Sequence, residues 1–203
     1  MIGVLDYGVG NLFSLKASLK AVGAEVMVSS DQKALKNCDR LILPGVGAFG
    51  DASARLQEGN FVPFLQNWAK EKPLLGICLG MQLLFEESEE FGLHKGLGLL
   101  PGKVRRMNAS EEAGLKLPQM GWNRLEICKE SPLLPKECQG EYMYFVHSFA
   151  AEDCGDCLLA TTDYGLPVTA FVGKDRVFGA QFHPEKSGEA GLALLKRFAN
   201  WNE

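Results

Sequence analysis

The sequence predicts an α/β fold: a mainly parallel central sheet flanked by helices, with antiparallel strands added in the C-terminal half. Short apolar runs alternate with helix-period segments through the first half, the pattern that sets strands side by side with helices crossing between them. The second half differs, because strand-like runs follow one another and a helix comes only at the end. The 203 residues, 46% hydrophobic and 23% charged, suffice for one sizeable core and leave little for a second. A single domain over 1–203 is therefore expected.

Ile2–Leu5 is the first strand. Asn11 is placed to cap a helix whose Leu12, Leu15, Leu19 and Val22 share one face, and Gly23 stops it. Residues 25–29 and Arg40–Leu43 are further strands. Residues 51–70 read as helix with an irregularity at Gly59 and Pro63. The apolar Leu74–Ile77 is a buried strand, and 81–87 the helix after it. Beyond it, 103–107, 122–128, 142–149, 158–164, 168–172 and 176–182 read as strands. Gly173-Lys174-Asp175 makes a tight turn that joins the last two as a hairpin. A closing helix over 187–201 buries Leu192, Leu195 and Phe198.

The net charge of −4 gives no reason to expect nucleic acid or an anionic membrane as partner. No apolar stretch approaches the length of a membrane span. Met1-Ile2-Gly3-Val4-Leu5-Asp6 lacks the basic region and long apolar segment of a signal peptide, so a cytoplasmic location is expected. The six cysteines are then read as free thiols. Cys154-Gly155-Asp156-Cys157 has C-x-x-C spacing, but a strand begins at its second cysteine, where a thioredoxin-like motif needs a helix. No second close pair of Cys or His completes a zinc site. It reads as a chance pair in a surface turn, and no metal is expected.

Gly76-Ile77-Cys78-Leu79-Gly80 is the most informative segment. A nucleophile between strand and helix, with glycine two residues away on each side, is the thiol counterpart of the G-x-S-x-G elbow. The glycines allow a sharp turn and close backbone packing around it. The plain alternative is a buried cysteine ending a core strand.

A cysteine nucleophile needs a base, and the base needs orienting. His94 lies in a glycine-rich loop and reads as a solvated surface residue, while His147 ends an aromatic strand. His183, in Gln181-Phe182-His183-Pro184-Glu185-Lys186, is favoured, because in an extended segment Glu185 projects to the same side and accepts from one ring nitrogen. Cys78, His183 and Glu185 then form a triad. The oxyanion of the intermediate needs two N–H donors: one from Leu79 and one from the glycine-bearing loop Pro44-Gly45-Val46-Gly47. That loop also holds a decoy. Gly45-Val46-Gly47-Ala48-Phe49-Gly50 matches the dinucleotide fingerprint, but the next strand ends in Cys78 instead of the acidic residue a ribose requires.

These segments resemble the class I (triad-type) glutamine amidotransferases nearly end to end. Asp6-Tyr7-Gly8-Val9-Gly10-Asn11, Pro44-Gly45-Val46-Gly47 and Met120-Gly121-Trp122-Asn123 look like the branch serving histidine biosynthesis. The elbow and His-Pro-Glu are common to the whole family. The resemblance implies hydrolysis of glutamine to glutamate and ammonia through a thioester on Cys78, with no cofactor. It also implies that Gln82 and the segment His147, Ser148, Phe149 hold the backbone end of glutamine. Asn11, Trp122 and Lys186 would line the face meeting a separate (β/α)8-barrel cyclase subunit. Two positions depart from the family pattern: Phe149 stands where relatives often have tyrosine, and Gln119 where many have histidine. The competing readings are a glutaminase for another pathway, a dinucleotide-binding protein and a non-catalytic binding subunit.

Overall fold

The apolar runs of the first half become strands buried on both faces. A computed structural model of the chain describes residues 1–108 and 115–201. In chain order the elements are β1 (Ile2–Leu5), α1 (Leu12–Ala21), β2 (Val26–Ser29), α2 (Gln32–Leu35), β3 (Arg40–Leu43), α3 (Phe49–Glu58), α4 (Phe61–Glu71), β4 (Leu74–Ile77) and α5 (Leu79–Gln82). They continue with β5 (Glu87–Ser88), β6 (His94–Lys95), β7 (Lys103–Arg106), β8 (Gln119–Ile127), β9 (Tyr142–His147), β10 (Phe149–Glu152), β11 (Leu158–Asp163), β12 (Pro167–Lys174), β13 (Val177–Ala180) and α6 (Gly188–Asn200).

Nine strands form one sheet in the order β2-β1-β3-β4-β13-β12-β11-β8-β9. Pairings from β2 through β13 are parallel, and those from β13 to β9 antiparallel. Successive strand residues enter opposite cores, as their period of two requires. Leu41, Leu43 and Leu74 pack with α3 and α4 through Leu56, Phe64, Leu65 and Trp68. Ile42 and Leu75 pack with α1 and α6 through Leu15, Leu19, Leu194, Leu195 and Phe198. Each fully buried side chain of this size contributes about 1.5–3 kcal/mol. A smaller sheet, β10-β7-β5-β6, lies beside the first. Among the described residues no helix is long and apolar enough to cross a membrane.

Several boundaries differ from the sequence reading, each for a local reason. The helix expected over 51–70 is two helices, broken at Gly59 and at Asn60, which has φ 54°. Pro63 falls in the first turn of α4, where its missing N–H leaves no bond unmade. The unforeseen α2 is a single turn capped by Asp31, which accepts from Lys33 N. The helix read over 81–87 is only α5, because the chain folds back at Leu83 to bond Leu97 N. The run 142–149 divides at Ser148, and Phe149 joins the second sheet opposite Arg106. β8 begins at Gln119, ahead of its expected start. The hairpin forms, but its turn is Asp175-Arg176, and Gly173 lies in β12 against Phe178. In α6, Leu194 occupies the fully buried position while Leu192 is half-buried.

The elbow is the tightest point of packing. A Cβ on Gly80 would lie 1.9 Å from the Leu43 carbonyl oxygen, and one on Gly76 would lie 2.5 Å from the Gly80 oxygen. These are backbone atoms and cannot yield without moving a strand. Gly80→Ala is expected to lower stability by about 3 kcal/mol or to prevent folding. Gly23→Ala, in open space at φ +83°, should cost only about 1 kcal/mol. Urea denaturation of the two variants separates them, and equal small losses would contradict the packing described.

Candidate active site

Cys78 stands between β4 and α5 at φ 55°, ψ −113°. That conformation costs a non-glycine residue on the order of 1–3 kcal/mol and persists only where the surroundings dictate it. Here they do. Cys78 N donates to Ala180 O at 2.7 Å, and its carbonyl accepts from Met81 N and Gln82 N. The residue borders a cleft of about 350 Å³ that is also lined by Val46, Gly47, Leu79, Gln82, His147 and His183.

His183 leaves the end of β13 in extended conformation (φ −96°, ψ 99°). Its N–H donates to Tyr144 O at 2.9 Å, and its carbonyl accepts from Ser187 Oγ at 2.6 Å. Ser187 Oγ in turn accepts from Tyr144 N, so the ring's base is tied to β9 from both sides. His183 Nδ1 lies 2.8 Å from Glu185 Oε1, with the two side chains only 3% and 4% exposed. The pairing expected from the sequence is present, but its geometry is different. Pro184–Lys186 is a 3-10 turn, so Glu185 reaches back to His183 instead of projecting beside it from a strand. Burial alone would lower the affinity of the ring for a proton. The Cys78 sulfur and the Glu185 carboxylate outweigh it and push His183 up to about 9. Since that value lies above the unfolded value of about 6.5, this contact stabilises the fold fully below it and stops doing so as pH rises through about 9.

His147 has the opposite character. Its Nδ1 donates to the Phe149 carbonyl at 2.8 Å. Burial pushes it down to about 4, against that hydrogen bond and with help from the nearby His183. Gln82 Nε2 spends both protons inside the protein, on Phe149 O at 2.9 Å and Gln181 Oε1 at 3.0 Å. Gln181 Nε2 lies 3.9 Å from the Cys78 sulfur.

The loop after β3 lies on the elbow. A Cβ on Gly45 would meet Gly80 N, Leu79 Cβ and Tyr7 Oη at 2.8–3.0 Å. Tyr7 Oη donates to Pro44 O at 2.8 Å, and burial, then the Cys78 charge, raise its pKa and keep it a neutral donor. Val46, Gly47 and Leu79 reach the cleft, while Gly45 lies beneath them. Gly47 has φ +94°, a conformation suited to glycine. The amino end of α3 is already occupied by Glu90 Oε2, which accepts from Phe49 N at 2.7 Å. A carboxylate therefore stands where a dinucleotide pyrophosphate would sit, against the fingerprint reading.

Trp122 and Lys186 flank the Tyr144 ring, at 4.9 Å ring to ring and 5.4 Å from Nζ. Asn11 is the cap of α1, its Oδ1 accepting from Ser14 N. Phe13, Met120 and Trp122 are more than half exposed. His94 is half-buried in β6, its ring against Gly50, instead of standing free in a loop. Cys154 and Cys157 are buried in a turn instead of lying at the surface, and all six cysteines are free.

Sequence reasoning missed Gln181, Glu90, Phe91 and Tyr7. Gln181 had a signal, standing two residues before His183 at the end of the same strand. Glu90 and Phe91, which rim the cleft, had none, because loop residues carry no period. A larger groove of about 660 Å³, between Gln32, Lys36, Phe64, Trp68 and Lys72, is lined by no Cys, Ser or His.

The family model for glutamine amidotransferase class I matches residues 3–200. The chain is 52% identical over 207 residues to the imidazole glycerol phosphate synthase subunit HisH of Bacillus licheniformis, covering 100% of this chain and 97% of that protein. It is 54% identical over 202 residues to the protein of the same name from Bacillus subtilis, covering 98% and 95%. Among solved structures, PurLQS from Thermotoga maritima shares the fold at TM-score 0.77 and 20% identity over 98% of this chain and 97% of that one. A glutamine amidotransferase crystal structure does so at TM-score 0.75 and 22% identity, covering 98% and 97%.

An NMR titration of the ring nitrogens tests the electrostatics directly. His183 should hold its second proton to about pH 9, and His147 should stay a single neutral tautomer down to about pH 4. Cys78→Ala should lower the His183 midpoint. Two ordinary midpoints near 6.5 would contradict the site as described.

Proposed function

The chain belongs to the class I glutamine amidotransferase family, and on that premise we propose that it is the glutaminase subunit of an imidazole glycerol phosphate synthase. It hydrolyses glutamine and delivers the ammonia to a separate (β/α)8-barrel cyclase subunit, which makes imidazole glycerol phosphate and aminoimidazole carboxamide ribonucleotide. The observation that carries the chemistry is the meeting of Cys78 and a Glu185-oriented His183 on one cleft wall.

With His183 holding the proton at Nε2 as imidazolium, the Cys78 sulfur attacks the carboxamide carbon of glutamine as the thiolate. The N–H groups of Leu79 and of the Gly45, Val46, Gly47 loop stabilise the oxyanion. Leu79 opens α5, so its N–H is one of those a helix leaves without an internal partner. The tetrahedral intermediate collapses to a thioester as His183 gives its proton to the departing nitrogen, which leaves as ammonia. His183 then takes a proton from water, and the hydroxide cleaves the thioester to glutamate and Cys78. The scheme needs no metal or organic cofactor.

Gln82 has no proton left to donate, so its Oε1 accepts from the α-ammonium of glutamine. The main chain of the His147, Ser148, Phe149 segment closes the same end, leaving Nε2 of the His147 ring uncommitted. Phe149 serves through its carbonyl, which fixes both Gln82 and His147, so the absence of a tyrosine hydroxyl there leaves that function intact. Asn11, Trp122 and Lys186 form part of the docking face, with the exposed Trp122 as an aromatic anchor. The protein works as one domain in the cytoplasm.

Cys78→Ser should reduce glutamate release by about 10³-fold or more, while the complex still makes product from added ammonia. Glutaminase activity surviving in that variant would reject the mechanism, and indifference to the cyclase partner would reject the pathway. The pH dependence follows from His183. Because the leaving nitrogen needs the imidazolium, kcat/KM should fall along a limb centred near pH 9. Glu185→Gln removes the carboxylate charge that raises the ring's pKa, so that limb should move to lower pH. A limb that stays in place would show that Glu185 does not tune His183.

A further inference from the structure

Two side chains of the β8–β9 pair carry acceptors that the glutaminase scheme leaves unused. Gln119 and His147 are direct partners across the antiparallel ladder, which sets their Cβ atoms about 5 Å apart on one face of the sheet. Each is oriented by hydrogen bonds that begin at a backbone carbonyl, a group that only accepts. The Phe149 carbonyl takes the Nδ1 proton of His147, leaving Nε2 as a bare lone pair. The Asp163 carbonyl takes Asn123 Nδ2 at 3.1 Å, so Asn123 Oδ1 takes Gln119 Nε2 at 3.1 Å. What remains of Gln119 is Oε1. Among the described residues neither His147 Nε2 nor Gln119 Oε1 has a partner, and both atoms are shielded from solvent. A buried acceptor left without a donor is destabilising. Two of them in register, one on the wall of the cleft that holds Cys78, make a site for a small molecule with several N–H or O–H bonds.

We propose that Gln119 and His147 hold the ammonia released at Cys78, each accepting one of its N–H bonds, before it passes to the acceptor subunit. The proposal rests on the glutaminase reading above. Ammonia fits because it is small, offers three donors and keeps its own lone pair free when held this way. Neither facing atom carries a proton, so the site does not turn ammonia into ammonium, the form that has lost its nucleophilicity. Burial holds His147 down to about 4, so its ring stays neutral throughout turnover. His147 lines the cleft itself, and Gln119 is its partner across the ladder, which sets the pair beside the reacting centre. No bond is made or broken in the holding step.

The test is the coupling ratio in the complex with the cyclase: product formed per glutamate released, with free ammonia measured in parallel. Gln119→Met keeps the side-chain length and removes the strong acceptor. Glutamate release should stay within about twofold of wild type, while about three- to tenfold more ammonia escapes to bulk water. Asn123→Ala unclamps the amide without removing it and should give a smaller loss, which keeps the test open if Gln119→Met folds poorly. Unchanged coupling in both variants overturns the proposal and leaves the pair holding ordered water. Reduced glutamate release with coupling intact also overturns it, because the pair would then serve glutamine. A wild type that releases no glutamate rejects the glutaminase reading and this proposal with it. In the isolated chain, ammonium chloride at mildly alkaline pH should shift the His147 Nε2 resonance in wild type and not in Gln119→Met; no shift in wild type counts against the site whatever the cyclase does.

Discussion

The approach of α5 to the end of β3 governs this molecule. Gly80 packs on the Leu43 carbonyl and Gly76 on the Gly80 carbonyl, each closer than any side chain permits. With both contacts set, the chain between them must turn within a residue, and Cys78 takes the strained conformation that results. The strain persists because β4 is hydrogen-bonded on both edges, to β3 and β13, and because Cys78 N is held by Ala180 O. The same contact fixes the loop that follows β3, since Leu43 leads directly into Pro44. One packing decision therefore positions Cys78, the proposed nucleophile, and the backbone donors proposed for the oxyanion.

The rest of the site follows from where the sheet changes character. β3, β4 and β13 are adjacent and parallel, so their carboxyl ends open on one edge. Ligand sites in such sheets lie in the crevice beyond those ends. β3 delivers the 44–47 loop, β4 delivers Cys78, and β13 delivers Gln181 and then His183. β9 lies at the far edge of the antiparallel half, yet its end returns to the same cleft with His147. There the chain leaves one sheet for the other at Ser148, and the Phe149 carbonyl, freed from the first ladder, holds Gln82 and His147 together.

Much of this was legible in the residues themselves. The parallel half was readable because strands buried on both faces are continuous apolar runs, and β1, β3 and β4 start and stop where those runs do. The elbow was readable because its glycines have a steric reason. The pairing of His183 with Glu185 was foreseen from a strand geometry that the 3-10 turn replaces, a right partner reached through the wrong local conformation. What stayed hidden is whatever depends on contacts between distant segments. No period shows that Tyr142 to Phe149 splits between two sheets, or that Glu90 returns to the start of α3. The burial of Cys154 and Cys157 was equally invisible, because a turn sequence looks the same whether solvent or a second sheet covers it.

Two imidazoles in one cleft are driven to opposite charge states, and the difference lies in their partners. Both are buried, and burial alone favours the neutral ring. His183 escapes that outcome because a sulfur and a carboxylate stand beside it, both of which reward a positive charge. His147 has only a carbonyl, which fixes a tautomer without stabilising a cation to the same degree, and it also feels the charge on His183. Protonating one ring therefore helps keep the other neutral. On the proposed reading the cleft has one group that moves a proton and another that only accepts a hydrogen bond. The proposed reaction, whose product must leave uncharged, needs that division, since a second acidic ring in the cleft would reclaim as ammonium what the first had released as ammonia.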